Sequence, residues 1–225
     1  MKVEKVSRTK GVGKYEGLTP EEIVAAIARH GEIKEDNGRL VQYLMDNKHW
    51  SPLDMINFTF EIETSRSIGR QLLRHFSIKP QEHSQRYSDK VGFEPIELRM
   101  EHPTNRQSST DVFDPMIEAN YDTIQEDVLA SDAIGEHLKA VEDLYFALLD
   151  SGVAKECARE ILPGCTTTII TMNGSLRSWL AFLNVRLDHH TQKEARLIAG
   201  IIAEELAKEL PNVFSTIDWK NGMFM

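Results

Sequence analysis

The chain has 225 residues, 41% of them hydrophobic and 27% charged, with a formal net charge of -9. That length and apolar content suffice for a full core in one domain spanning 1–225, and the acidic balance argues against a nucleic-acid surface. No stretch is apolar enough for a membrane span or a signal peptide, so a soluble, cytoplasmic protein is expected. The two cysteines, Cys157 and Cys165, form no C-x-x-C pair and neighbour no histidine cluster. They are expected to be free core thiols rather than zinc ligands.

In chain order, Thr19-Pro20-Glu21-Glu22 opens a helix, with a hydroxyl at the N-cap, proline at the first helical position and acids in the first turn. Ile23, Ala26 and Ile27 form its apolar stripe. A second helix over 39–47 buries Leu40, Tyr43 and Leu44, and Ser51-Pro52 starts a short third one. From Ile56 to Ile62 apolar residues alternate with Asn57, Thr59 and Glu61, which predicts a strand with one face in the core.

From Ser65 the period becomes helical, with Ile68, Leu72 and Leu73 on one side and Arg66, Arg70 and Arg74 four apart on another. Pro80 ends any helix, and 81–87 is loop or extended. Residues 88–112 read as an irregular connector or substrate loop. A long helix is expected from Pro115 to Asp150, broken near Ser131 and stopped by Gly152, followed by a short one over 153–161. A strand over 166–171, a helix over 175–187 and an amphipathic helix over 191–210 complete the pattern. Met45, Trp50 and Trp179 are read as packing residues. The predicted fold class is α+β, a mixed or mainly antiparallel sheet flanked by helices.

The densest chemistry lies in R-H-F-S-I-K-P-Q-E-H-S-Q-R-Y, residues 74–87. Between 66 and 86 the chain holds Arg66, Arg70, Arg74, Lys79 and Arg86 against Glu82 alone. This local reversal of sign within an acidic chain suits a small anion such as a phosphate. A solvated basic helix face is the plainer alternative.

The order and spacing of this segment resemble the signature of the flavin-dependent thymidylate synthases, Arg-His-Arg followed after seven residues by Ser within an Asn/Gln-Glu-x-Ser-x-Arg-Tyr stretch. Here Arg74 and His75 precede seven residues from Ser77 to His83, then Ser84, with Gln81, Glu82, Arg86 and Tyr87 in the matching places. Phe76 departs from the pattern, replacing the second arginine. Ser175-Leu176-Arg177 and Leu187-Asp188-His189-His190 match a second block, and residues 40–60 a third. The resemblance covers roughly 38–88 and 150–210.

The resemblance implies reductive methylation of dUMP to dTMP, with methylenetetrahydrofolate as one-carbon donor, reduced FAD as hydride donor and NADPH as reductant. It implies a homotetramer with active sites between subunits. Arg186 would favour ionisation of the uracil imide, and Ser84, once attractive as a nucleophile, would hydrogen-bond the nucleotide. Arg86, with Gln71 and Arg74, would take the phosphate, since a guanidinium matches phosphate oxygens bidentately. Glu82, His83, Gln85, Arg159, His49 and Tyr87 would complete the nucleotide and folate contacts. Flavin contacts would fall to Ser51, Arg74, His75, Phe76, Ser77 and Glu82, joined by Ser175, Leu176, Arg177 and Ala181. Phe76 and Ala181 each lose a polar contact relative to the family, so weaker FAD binding is expected.

No G-x-G-x-x-G follows a strand, so a dinucleotide would not be held in the Rossmann manner. His189-His190 suggests no metal site, since neighbouring histidines on one helix point about 100° apart and no ligand spacing accompanies them. A phosphatase would need an acidic metal cluster, for which Glu118, Glu126 and Asp127 are poor candidates. A nucleotide-binding protein without catalysis is the other alternative.

Overall fold

The computed structural model describes residues 1–34, 37–121 and 124–219. Its contacts divide into two compact units, one of residues 1–64, 68–82 and 169 onward, the other of 65–67 and 83–168. The architecture is α+β, with antiparallel pairings, as expected.

The first unit is built on a four-stranded sheet. Strand β1 (Lys2–Arg8) pairs antiparallel with β2 (Asn57–Ser65), Lys2 opposite Glu63 and Arg8 opposite Phe58, with a register shift between Lys5 and Ser7. Strand β3 (Lys79–Glu82) pairs antiparallel with β8 (Thr167–Ser175), and the strand order is β1-β2-β8-β3. The alternation read from the sequence holds: Phe58, Phe60 and Ile62 are fully buried, as are Ile170 and Met172 of β8. Sequence reasoning did not find β1, whose alternate residues are charged and whose hold comes from far away. Lys5 and Arg8 both pair with Glu209.

Helices cover that sheet. In α1 (Pro20–Ala28) Thr19 and Glu22 form the full capping box, the Thr19 hydroxyl accepting from the Glu22 N–H and the Glu22 carboxylate from the Thr19 N–H at 2.7 Å. Helix α2 (Gly38–Asp46) buries Val41, Leu44 and Met45. The buried face is one residue on from the expected one, so Tyr43 is 54% exposed rather than buried. A 3-10 turn, Ser51–Met55, leads into β2. Helix α3 (Arg66–Leu72) is shorter than its period suggested, so Arg74 lies beyond it in a turn.

Helix α6 (Leu176–Arg186) is capped by Ser175, whose hydroxyl accepts from the Ser178 N–H at 3.2 Å, and its Trp179 indole N–H donates to the Phe58 carbonyl at 3.0 Å. Helix α7 (Lys193–Glu209) buries Ala195, Ile198, Ala199, Ile202, Ala203 and Leu206, an i, i+3, i+4 stripe at helical period. Each fully buried isoleucine there contributes about 1.5–3 kcal/mol of apolar transfer. The short α8 (Pro211–Phe214) is tied to α1 by the buried Glu21, whose carboxylate accepts from the Val213 N–H at 2.9 Å and the Asn212 amide at 2.8 Å. Burial raises the Glu21 pKa, and those hydrogen bonds offset part of the rise.

The second unit corrects one expectation. Residues from 116 to 129 form an antiparallel hairpin, β6 (Met116–Tyr121) with β7 (Ile124–Leu129), rather than the first half of a long helix. Residues 122 and 123, inside that expected helix, lie outside the described residues. Ile117, Tyr121, Ile124 and Val128 have helical spacing in sequence, yet the hairpin register puts Ile117 opposite Val128 and Tyr121 opposite Ile124. The same four residues satisfy both periods, and β-branched content decides for the strand. A smaller hairpin, β4 (Arg99–Glu101) with β5 (Ser109–Val112), occupies the stretch read as irregular.

Helix α4 (Ala130–Asp150) then runs for 21 residues. It closes in a Schellman motif, with Gly152 at φ +86°, its N–H on the Leu149 carbonyl and the Val153 N–H on that of Leu148. The short α5 (Lys155–Ala158) and a 3-10 turn, Arg159–Ile161, follow. Cys157 is exposed rather than in the core, Cys165 is half-buried, and both are free. Among the described residues no helix is long and apolar enough to cross a membrane.

Candidate active site

In the first unit, the turn after α3 meets the C-terminal end of α6. The Arg186 guanidinium donates through Nη2 to the Gln71 carbonyl, while its Nε is buried without a partner. His75 packs edge-on against Phe182, ring centroids 5.5 Å apart, and its Nε2 is also buried without a partner. Burial, and then the positive charge of Arg186, hold the His75 imidazole below its ordinary pKa, so it is neutral at neutral pH. Burial, and then neighbouring Arg74, lower the Arg186 pKa as well. With one imidazole nitrogen donating to the Ser178 backbone, Nε2 of the neutral ring is an unpartnered acceptor, and beside it the Arg186 Nε–H and the nearby Arg74 are cationic donors.

Gln71 is held by its amide donating to Gln192 at 2.7 Å. The structure therefore brings Gln71, Arg74, His75 and Arg186 together. Glu82 lies half-buried at the end of β3, with Ser77 exposed before that strand.

A second cluster of the same unit surrounds the 3-10 turn. Asp54 accepts from the Ser175 hydroxyl at 2.8 Å and from Arg177 Nη1 at 3.1 Å. Alongside is a cleft of about 470 Å³ lined by His49, Trp50, Ser51 and Arg177, together with Lys48, Leu44, Ala28 and Pro52. Met45 and Trp179 are packing residues as expected, whereas Trp50, only half-buried, packs on the core and also lines this cleft. Sequence reasoning missed Asp54, whose partners lie 121 and 123 positions away. Its one local signal is its place in the first turn of a helix opened by Ser51-Pro52. Leu176 is a core side chain, and its N–H donates to the Ile56 carbonyl. Ala181 is exposed on α6, and Phe76 is 91% exposed.

The second unit carries the remaining candidates. Arg86 pairs with Glu156 at 3.0 Å, and its N–H donates to the Ser84 hydroxyl at 3.3 Å. Gln85 accepts from Arg66, His83 is exposed, and Tyr87 is 86% exposed. Among the described residues no side-chain base hydrogen-bonds Ser84. Arg159 donates to the Glu156 carbonyl at 3.3 Å and pairs with Glu160 at 3.6 Å.

The expected splay of His189 and His190 is corrected. They lie in the turn after α6, not on it, and their rings stand 3.8 Å apart at 42°. His190 Nδ1 is 2.9 Å from the Asp188 carboxylate, and the ligand atoms of the three residues lie within 4.8 Å of one another. In the β6–β7 hairpin Glu118 sits opposite Asp127 and Glu126 opposite Ala119, so Glu126 stands one register pair away from the other two acids.

The chain that brings these residues together is similar in sequence to known proteins. Residues 14–212 match the family described as thymidylate synthase complementing protein. A flavin-dependent thymidylate synthase of Synechocystis sp. is 38% identical over 207 residues, 91% of this chain and 92% of that one. A probable flavin-dependent thymidylate synthase of Paramecium bursaria Chlorella virus 1 is 35% identical over 226 residues, covering 97% of this chain and all of the viral one. The flavin-dependent thymidylate synthase of Kosmotoga olearia is 32% identical over 179 residues, 79% of this chain and 74% of its own. The chain belongs to the flavin-dependent thymidylate synthase family.

Proposed function

We propose that the protein converts dUMP to dTMP, taking the one-carbon unit from methylenetetrahydrofolate and the hydride from reduced FAD, with NADPH restoring the flavin. The observation that carries this reading is the cluster of Gln71, Arg74, His75 and Arg186, in which buried Arg186 Nε and His75 Nε2 have no partner. The residues fit the groups the reaction requires. Aromatic and cationic side chains line the His49 to Arg177 cleft, and the neighbouring guanidinium groups of Arg74 and Arg186 offer donors to an anion.

The reduced flavin, when bound, supplies the hydride that turns the transferred one-carbon unit into a methyl group. Arg186 stabilises negative charge on the uracil imide, a task for which a poorly solvated cation is worth a few kcal/mol of barrier. Neutral His75, whose other ring nitrogen donates to the Ser178 backbone, offers Nε2 as an acceptor and adds no charge. Arg74, with Gln71 and Arg86, takes the nucleotide phosphate. Glu82, His83, Ser84, Gln85 and Tyr87 hold the nucleotide, with Arg159. Ser51, Ser77, Ser175, Arg177, Phe76 and Ala181 form the flavin surface, and His49 meets the folate; Leu176, enclosed in the core, is not part of it. The exposure of Phe76 and Ala181, both apolar, supports weaker flavin binding than a polar pair would give.

The working form is a homotetramer in the cytoplasm, its sites shared between copies. The exposed Met116, Ile117, Leu129, Leu144 and Phe146 support self-association. The purified protein is expected to be yellow, with a flavin spectrum that changes on adding dUMP, and to restore growth of a thymidine-requiring host. A colourless protein that takes up no added FAD, or failure to restore growth, would overturn the reading.

A further inference from the structure

Three helices end in the same Schellman motif, and they differ in the residue held left-handed at its centre. Helix α4 uses Gly152. Helix α1 uses His30, at φ +55°, and α2 uses Lys48, at φ +57°. In α2 the Lys48 N–H bonds the Met45 carbonyl and the His49 N–H bonds that of Leu44 at 2.8 Å, so the motif forces Lys48 into the conformation that glycine adopts without strain. A side chain kept at such a position against its backbone preference points to a use for the side chain.

The surroundings of Lys48 indicate that use. It lines the cleft shared with His49, Trp50 and Arg177. Arg177 is compensated by Asp54, whereas among the described residues no carboxylate pairs with the Lys48 ammonium. The next residue of the motif, His49, is fixed by its N–H bond and by edge-on contact with Tyr43 at 5.8 Å. The motif therefore sets a cation without a partner next to two aromatic side chains at the rim of one cleft.

We infer that Lys48 is a binding residue that grips the anionic part of a heteroaromatic ligand whose ring lies in the His49–Trp50 cleft. This rests on the functional reading above, in which two ligands share that chemistry. One is the flavin dinucleotide, with its diphosphate. The other is the reduced folate, with its glutamate carboxylates.

The test is calorimetric titration of the full chain with FAD and, separately, with folinic acid, alongside thermal melting. Lys48→Met is expected to weaken one of the two ligands about tenfold with melting unchanged, and Lys48→Arg to retain affinity. The ligand that loses affinity identifies the anion. Lys48→Gly is expected to lose the same affinity yet melt about 2–4 °C higher, because the left-handed backbone is relieved. His30→Gly, the same relief at a residue that does not line the cleft, is expected to melt higher with parental affinity for both ligands. Parental affinities in both Lys48→Met and Lys48→Gly overturn the inference alone, as does an equal loss in His30→Gly. A parent chain that binds neither ligand overturns the functional reading and the inference with it.

Discussion

The two units bury apolar surface very differently. In the first, one connected core runs from Ile23 through the sheet to Phe214, with Phe58, Phe60 and Trp179 fully enclosed. In the second, the 21-residue α4 buries only Ala130 and Tyr145 and leaves Leu144 51% and Phe146 41% exposed. A helix of that length with so small a buried face draws little stability from its own chain. The first unit carries an extended apolar core of its own, whereas α4 of the second leaves large apolar side chains exposed.

The sharpest way to break this contrast is to empty the first core. Trp179→Ala removes a ring in edge-to-face contact with Phe60 and Phe182 and a hydrogen bond to Phe58, and is expected to cost about 3–5 kcal/mol in urea unfolding. Arg186→Ala tests whether the pocket of that unit is chemical rather than structural. Turnover should fall about 10²- to 10³-fold, with Arg186→Lys recovering part of it.

Glu21→Ala, which strips α8 of its acceptor, should cost about 2 kcal/mol. Because its folded pKa is raised above the ordinary 4.5, the Glu21 contribution is present at low pH and is lost as pH rises through the folded-state value. The stability of Glu21→Gln relative to the parent should therefore grow from about pH 4.5 upward and level off above that value. The smallest effect belongs to the second unit. Leu144→Ala with Phe146→Ala should change unfolding of the dissociated chain by no more than about 0.5 kcal/mol while shifting sedimentation toward smaller species. A large intrinsic destabilisation with unaltered sedimentation would reverse the comparison.

The same division governs what could be read in the sequence. Where a segment owes its structure to its own pattern, the reading held: the Thr19 cap, the alternation from Ile56 to Ile62, the helical stripe of α7. The β6–β7 hairpin was misread because Ile117, Tyr121, Ile124 and Val128 satisfy two periods, and β-branched content rather than period separates them. Strand β1 escaped because its stabilising partner, Glu209, lies 204 positions from Lys5. In the site, Gln71, Arg74, His75 and Arg186 were legible as residue types within motifs. The unpartnered atoms of His75 and Arg186, and the Asp54 clasp on Ser175 and Arg177, arise only once distant segments meet.

The four-stranded sheet ends on β1 at one side and β3 at the other. The first is kinked by its register shift and studded with Lys2, Glu4, Lys5 and Arg8. The second is four residues long and contains Pro80, which has no N–H to offer. Both borders thus disfavour an incoming strand, which guards the sheet against edge-to-edge growth into a fibril.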